Sequence, residues 1–261
     1  MTDAVFDITD KVTLVTGGGT GIGADIAREF CARGARVMIT SWTMDHLGPV
    51  AEEIRQTGGT IEALVGDVRQ PEHVDAVVTR TVERWGCIDV LINNAGASFV
   101  CPAEEISPNG FASIVAINLQ GTFLYARAVA RLMRAQQTGG SVINIASAAG
   151  VYGSASMAHY GAAKAGVINL TRTLAMEWGR YGIRVNCISP GPIETEGVKT
   201  VLWPTPALQQ RAMHGTALKR FGTGQEVAWP CVFLASDAAG YVTGANLQVD
   251  GCLLGRGSEE R

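Results

Sequence analysis

Short runs rich in β-branched residues alternate with longer amphipathic stretches along the whole chain. Seven runs read as strands: 11–16 (KVTLVT), 35–40 (ARVMIT), 61–65, 88–93 (IDVLIN), 141–146 (SVINIA), 184–189 (RVNCIS) and 246–250. Between them, segments such as 21–33 and 74–85 place apolar residues three and four apart, the period of a helix with one buried stripe. Strands joined through helices pair in parallel, and right-handed crossovers cover both sheet faces. The pattern predicts an α/β fold, a doubly wound parallel sheet (Rossmann fold) of about seven strands. No linker, repeat or low-complexity segment divides it, so residues 1–261 are expected to form a single domain.

The rhythm breaks between Pro190 and Phe221. This stretch holds Pro204 and Pro206 together with Val198, Val201, Leu202, Trp203, Leu208 and Met213. A long apolar insertion after a strand's carboxyl end is where open α/β sheets place substrate lids, which predicts a lid over about 193–220. A surface excursion packed on the domain is the alternative. Downstream, Thr223-Gly224-Gln225-Glu226 reads as a capping box, and Pro230 inside the helix it opens predicts a kink.

Composition removes several classes of function. With 47% apolar and 17% charged residues the chain is globular rather than disordered, except in the tail 256–261. A net charge of −3 without a basic run leaves no footprint for nucleic acid or an anionic membrane, so the expected partner is a small molecule. The six cysteines, Cys31, Cys87, Cys101, Cys187, Cys231 and Cys252, never reach metal-ligand or CxxC spacing; they read as reduced thiols, with no metal site. The opening MTDAVFDITDK resembles no secretory signal, and no stretch is apolar over the roughly 18 residues of a membrane span, so a cytoplasmic location is expected.

The first candidate site is the turn TGGGTGIG, residues 16–23, where the first strand meets the first helix. Gly17, Gly19, Gly21 and Gly23, with Thr20 and Ile22, allow a tight turn and close approach of a diphosphate to free N–H groups at the helix start. The spacing G-x-x-x-G-x-G is one residue longer in its first gap than the dinucleotide fingerprint. Position supports the reading, because the first βα turn is where a dinucleotide's diphosphate belongs.

The second is SMAHYGAAKAG, residues 156–166. Tyr160 and Lys164 lie one helical turn apart on one face, so the ammonium can favour the phenolate. A free tyrosine ionises near 10, and a cation should bring it toward the working range, making Tyr160 the candidate general acid and base. Ser147, at the end of the fifth strand run, can place a hydroxyl where a carbonyl oxygen gains charge. The small residues Gly161, Ala162, Ala163, Ala165 and Gly166 imply close approach. Further along, Val167, Ile168, Leu170, Leu174, Ala175 and Trp178 exceed one apolar stripe, which suggests burial against both the sheet and another subunit.

Together, TGGGTGIG, Asn93-Asn94-Ala95-Gly96, Ser147, Tyr160 with Lys164, and Pro190-Gly191-Pro192-Ile193-Glu194-Thr195 resemble the short-chain dehydrogenase/reductase family, from about Lys11 to Gly251. The resemblance implies hydride transfer with NAD(P)(H) and a homo-oligomer, tetramer or dimer. It implies that Lys164 also bonds the nicotinamide ribose and that Asn118 supports a water-linked proton path to it. For Asn118, a bond to a neighbouring helix carbonyl is the other reading. The resemblance further places the cofactor against Asn94, Ala95, Gly96, Pro190 and Gly191, the adenine at Asp67 and Val68, and the carboxamide at Ile193 and Thr195.

Ser41 stands where NAD-preferring relatives carry an acidic residue, followed by Trp42 and Thr43. No carboxylate there repels a 2′-phosphate, which points to NADP ahead of NAD, although no arginine is present either. Ala97, Phe99, Val100, Ala149, Val151, Tyr152, Met157 and the lid residues are the expected substrate wall, suited to a medium-sized, mainly apolar carbonyl compound such as a 3-oxoacyl group. Lys199 or Arg211 could steer a carboxylate, or be solvated. The leading reading is a carbonyl reductase or alcohol dehydrogenase. The alternatives are a dienoyl- or enoyl-thioester reductase, which Ile106-Ser107-Pro108-Asn109 and PGPIETEG (190–197) resemble, and a catalytically silent nucleotide-binding or scaffold protein, which would have lost a member of the catalytic set. Gly251-Cys252 departs from the family's double glycine.

Overall fold

The computed structural model describes residues 4–195, 197 and 202–253. The expectations on Val198, Lys199, Val201 and the tail 256–261 lie outside the described residues. Seven parallel strands form one sheet: β1 Val12–Thr16, β2 Arg36–Ser41, β3 Thr60–Val65, β4 Val90–Asn93, β5 Gly140–Ile145, β6 Ile183–Pro190 and β7 Asn246–Val249. Their spatial order is β3-β2-β1-β4-β5-β6-β7, so the winding reverses between β1 and β4, where a crevice opens at the strands' carboxyl ends. All seven match the sequence expectation to within two residues.

The helices α1 Gly21–Ala32, α2 Met44–Gln56, α3 Pro71–Trp85, α4 Pro108–Val115, α5 Gly121–Gln136, α6 Ala148–Tyr152, α7 Ala158–Trp178, α8 Pro206–His214 and α9 Gly224–Ala235 fill the crossovers. Strand β1 is buried at every position, as a strand covered on both faces must be. One core layer gathers Ile26, Phe30, Ile39, Leu47 and Val227; the other gathers Leu14, Tyr125, Met133, Leu174 and Val185. Helix α9 opens with the reciprocal capping box of Thr223 and Glu226 and runs unbroken past Pro230. Within the predicted lid, α8 is a short helix with no buried residue, and Trp203 packs on Phe221 with ring centroids 5.1 Å apart. No helix among the described residues is long and apolar enough to cross a membrane.

One element was not anticipated. Residues Ala116–Gln120 form a π-helical turn between α4 and α5, and Asn118 sits in it, fully buried. Single π turns are uncommon and cluster at functional sites.

Candidate active site

The glycine turn is built as its composition requires. Gly17 takes φ +64°, a left-handed conformation open to glycine at little cost, and a Cβ on Gly23 would lie 2.1 Å from the Gly17 carbonyl oxygen. Thr20 follows as the extended N-cap of α1, with Gly21 and Ile22 opening the helix. A Cβ on Gly19 would strike the His46 backbone at 2.8 Å, so this glycine serves contact with α2 as well as the turn. Asn94 braces the turn from β4's end: its Nδ2 donates to the Thr16 and Gly17 carbonyls, both at 3.1 Å, while Thr16 Oγ1 accepts from the N–H groups of Asn94 and Ala95.

Ser147 leaves β5 in an extended conformation and caps α6; its Oγ accepts from Ala149 N–H at 3.1 Å. A hydroxyl that accepts from the backbone keeps its own proton free to donate toward a substrate oxygen. Tyr160 and Lys164 project from α7. The Lys164 ammonium is buried, donates to the Ile145 carbonyl at 2.7 Å, and lies 5.7 Å from the Tyr160 ring centroid. Burial lowers its pKa to about 8. The Tyr160 phenol is pushed above its ordinary value by burial, with a Ser147 hydrogen bond pulling it partly back. The expected downward shift of the phenol is therefore corrected: within the chain, desolvation dominates and the opposing pull comes from Ser147.

Asn118 makes the helix-carbonyl bond of one of its two readings. Its Nδ2 donates to Ile114 of its own helix at 2.9 Å and to Ala97 across the crevice at 2.8 Å, whereas its buried Oδ1 has no protein partner. That oxygen and the Lys164 ammonium converge on Gly96: a Cβ there would meet them at 2.7 and 3.5 Å.

A cavity of about 1080 Å³ collects Ser147, Tyr160 and Lys164 with Ile22, Asn94, Gly96, Pro190, Gly191 and Ile193. Thr195 stands across from Gly21, whose Cβ would approach its Cγ2 to 3.4 Å. The residues assigned to the adenosine end do not line this cavity. Ser41 ends β2 half-buried and Trp42 is 72% exposed. The Asp67 carboxylate is engaged by Arg69, with its Oδ1 2.9 Å from Nε, and Val68 is turned inward against Gly121.

The expected substrate wall needs correction. Ala97, Ala149, Tyr152, Met157, Leu202 and Trp203 line the cavity, but Phe99, Val100, Val151, Leu208 and Met213 do not. Phe99 packs on His159, ring centroids 4.1 Å apart, and Val100 and Leu208 face outward. Sequence reading had passed over His159, which is fully buried with both ring nitrogens unpartnered and its pKa lowered by burial. It had also passed over Ser98, Ser154 and Leu253, which complete the cavity's rim. Arg211 is exposed on α8. Among the described residues no cluster of His, Cys, Asp or Glu could hold a metal ion.

The family model described as enoyl-(acyl carrier protein) reductase matches residues 17–253. A peroxisomal 2,4-dienoyl-CoA reductase from Danio rerio is 39% identical over 94% of this chain and 81% of its own length. The levodione reductase of Leifsonia aquatica is 38% identical over 93% and 94%. The crystal structure of a short-chain type dehydrogenase/reductase from Mycobacterium marinum superposes with a TM-score of 0.89 at 34% identity, covering 95% of this chain and 96% of the other. With the fold, the phosphate turn and the tyrosine–lysine helix already in place, these likenesses identify the chain as a member of the short-chain dehydrogenase/reductase family and an NAD(P)-dependent oxidoreductase that interconverts carbonyl and alcohol groups.

Proposed function

We propose that this enzyme is an NADP-preferring reductase of medium-sized, mainly apolar ketones or diketones, with Tyr160 as general acid in reduction and general base in oxidation. The observation that carries the reading is the meeting of Ser147, Tyr160 and Lys164 in a cavity whose remaining lining is mostly small or apolar.

The nucleotide fits the residues present: the glycine turn leaves backbone N–H groups at the start of α1 free of side chains, and the unpartnered Asn118 Oδ1 lies beside Lys164. When bound, the reduced nicotinamide supplies a hydride. Gly17, Gly21 and Gly23 would hold the diphosphate, Ile193 and Thr195 the carboxamide, and Lys164 the ribose. Ser147 donates a hydrogen bond to the substrate oxygen, where negative charge develops. Tyr160 delivers a proton to that oxygen, and the Lys164 ammonium stabilises the phenolate left behind. Leu202 and Trp203, described residues of the expected lid that line the cavity, would help to exclude water from this step. Absence of a carboxylate at Ser41 supports NADP over NAD. The homo-oligomer that the family resemblance implies remains part of this reading.

A second reading, reduction of a dienoyl or enoyl thioester, is favoured by the likeness to dienoyl-CoA reductases. Titration with NADPH and NADH, followed by nicotinamide absorbance with a panel of ketones, diketones and dienoyl thioesters, separates the two. NADPH oxidation dependent on ketones supports the proposal; turnover of thioesters alone replaces it, and failure to bind either nucleotide removes both.

A further inference from the structure

Beneath the active site runs a buried chain of polar side chains that the chemistry does not use. Asn93 and Asn144 face each other in register on β4 and β5, and Asn93 Nδ2 donates to Asn144 Oδ1 at 2.9 Å. From this pair one arm reaches α7: Asn144 Nδ2 donates to Thr171 Oγ1 at 2.9 Å, and Thr171 Oγ1 donates to the Val167 carbonyl at 2.8 Å. The other arm reaches the π turn: Asn93 Nδ2 donates to the Thr122 carbonyl at 3.3 Å, and Thr122 Oγ1 donates to the Asn118 carbonyl at 2.8 Å. Asn144, Thr171 and Asn118 are fully buried, and Asn93 and Thr122 are at least nine-tenths buried.

The two arms end on the two halves of the catalytic constellation. Thr171 follows Lys164 by two helical turns and lies on the same face, so clamping Thr171 to β5 sets where along the sheet the ammonium falls. It falls on the carbonyl of Ile145, the residue next to Asn144. On the other side, Thr122 Oγ1 reaches one turn back to the main-chain carbonyl of Asn118 itself and ties the start of α5 to the π turn. Nothing about packing alone requires polar atoms here; apolar side chains of this size would fill the layer without desolvation cost.

We propose that Asn144, with Thr171 and Asn93, is a positioning device that holds the Lys164 ammonium and the Asn118 carbonyl oxygens in one register, so that the proton route to Tyr160 stays aligned. The proposal rests on Tyr160 acting as the acid and base. Asn144 acts through its neighbours and touches neither substrate nor nucleotide.

Thr171→Val keeps the side-chain shape and removes the hydroxyl, and Thr171→Ser restores it. The expected result is a fall in kcat of about tenfold to a hundredfold for Thr171→Val with KM little changed, since small misplacements of reacting groups cost on that scale. The pH profile of alcohol oxidation should move to higher pH, because a displaced ammonium supports the phenolate less. Thr171→Ser should return both to near wild type. Thr122→Val cuts the other arm independently and should slow turnover in the same way, which covers the case that Thr171→Val does not fold. Ionisation of Tyr160, read in the nucleotide-free protein as the ultraviolet difference from Tyr160→Phe, should move upward in Thr171→Val. Wild-type kcat and an unmoved profile in a folded Thr171→Val would overturn the proposal. So would equal losses in Thr171→Val and Thr171→Ser that merely follow lowered melting temperatures. If the wild type reduces no carbonyl in the panel, the functional reading has failed separately, and an unshifted Tyr160 ionisation in Thr171→Val then disproves the positioning role on its own.

Discussion

Lys164 donates a hydrogen bond from its ammonium to the Ile145 carbonyl at 2.7 Å while lying 5.7 Å from the centroid of the Tyr160 ring. A buried cation with one protein acceptor is costly, and its pKa of about 8, down from 10.5, measures that cost. Such placement is a cost in stability of the kind that the proposed chemistry would ask for.

The first prediction concerns this cost. A lysine whose folded pKa is depressed carries its penalty in full below pH 8, and the penalty is relieved as pH rises toward 10.5, where the unfolded chain also loses the proton. Lys164→Met removes the charge at similar length. It should abolish turnover yet raise unfolding stability at pH 7 by about 1–3 kcal/mol, less than the whole penalty because the Ile145 carbonyl loses its donor. The gap to wild type should narrow by pH 10. Urea unfolding at both values checks this; a variant less stable than wild type at pH 7 contradicts it.

The phenol itself gives the second prediction. Tyr160→Phe leaves the ring in place and removes only the proton carrier. On the order of a hundredfold loss in kcat is expected, with nucleotide affinity nearly intact, because general acid–base catalysis contributes about that much. Stopped-flow turnover beside a fluorescence titration with NADPH makes the comparison, and unchanged turnover would refute the assignment of Tyr160.

How much of this was legible in the letters follows from how local each feature is. The strands, the TGGGTGIG turn and the Tyr160–Lys164 spacing depend on periods of two, four or a few residues, so sequence alone exposed them. Phe99 was misplaced because it packs on His159, sixty positions away in sequence, a contact that no local pattern announces. The π turn was invisible since AINLQG has ordinary helical periodicity, and the Asn93 side chain that bonds the adjoining Thr122 carbonyl comes from β4, distant in sequence. Asp67 was legible as a residue after β3, but its pairing with Arg69 was not foreseen.

Cofactor choice supplies the third prediction. Ser41 closes β2, and the neighbouring Thr43 hydroxyl oxygen already caps α2 by accepting from Asp45 N–H at 3.3 Å, leaving its proton available. An added carboxylate at Ser41 would repel a 2′-phosphate while suiting a 2′-hydroxyl. Ser41→Asp should raise the Kd for NADPH by about tenfold or more, equivalent to about 1.4 kcal/mol, with NADH binding unchanged or tighter. Calorimetric titration with each nucleotide decides it, and an unaffected NADPH affinity means that the 2′-phosphate lies elsewhere.

The last prediction comes from the departure at the end of β7. Cys252 holds φ +56°, in the left-handed region, at the place where the family commonly has its second glycine. Its N–H donates to Asp250 Oδ1 at 2.9 Å, which ties the residue to that conformation. A side chain there costs about 1–2 kcal/mol, whereas glycine adopts the same φ freely at the expense of a more flexible unfolded chain. Cys252→Gly should therefore gain about 0.5–1 kcal/mol in denaturant unfolding, with the catalytic parameters unchanged because the exposed thiol lies outside the main cavity. A loss of stability on making the glycine would show that the thiol is held by contacts worth more than its backbone strain.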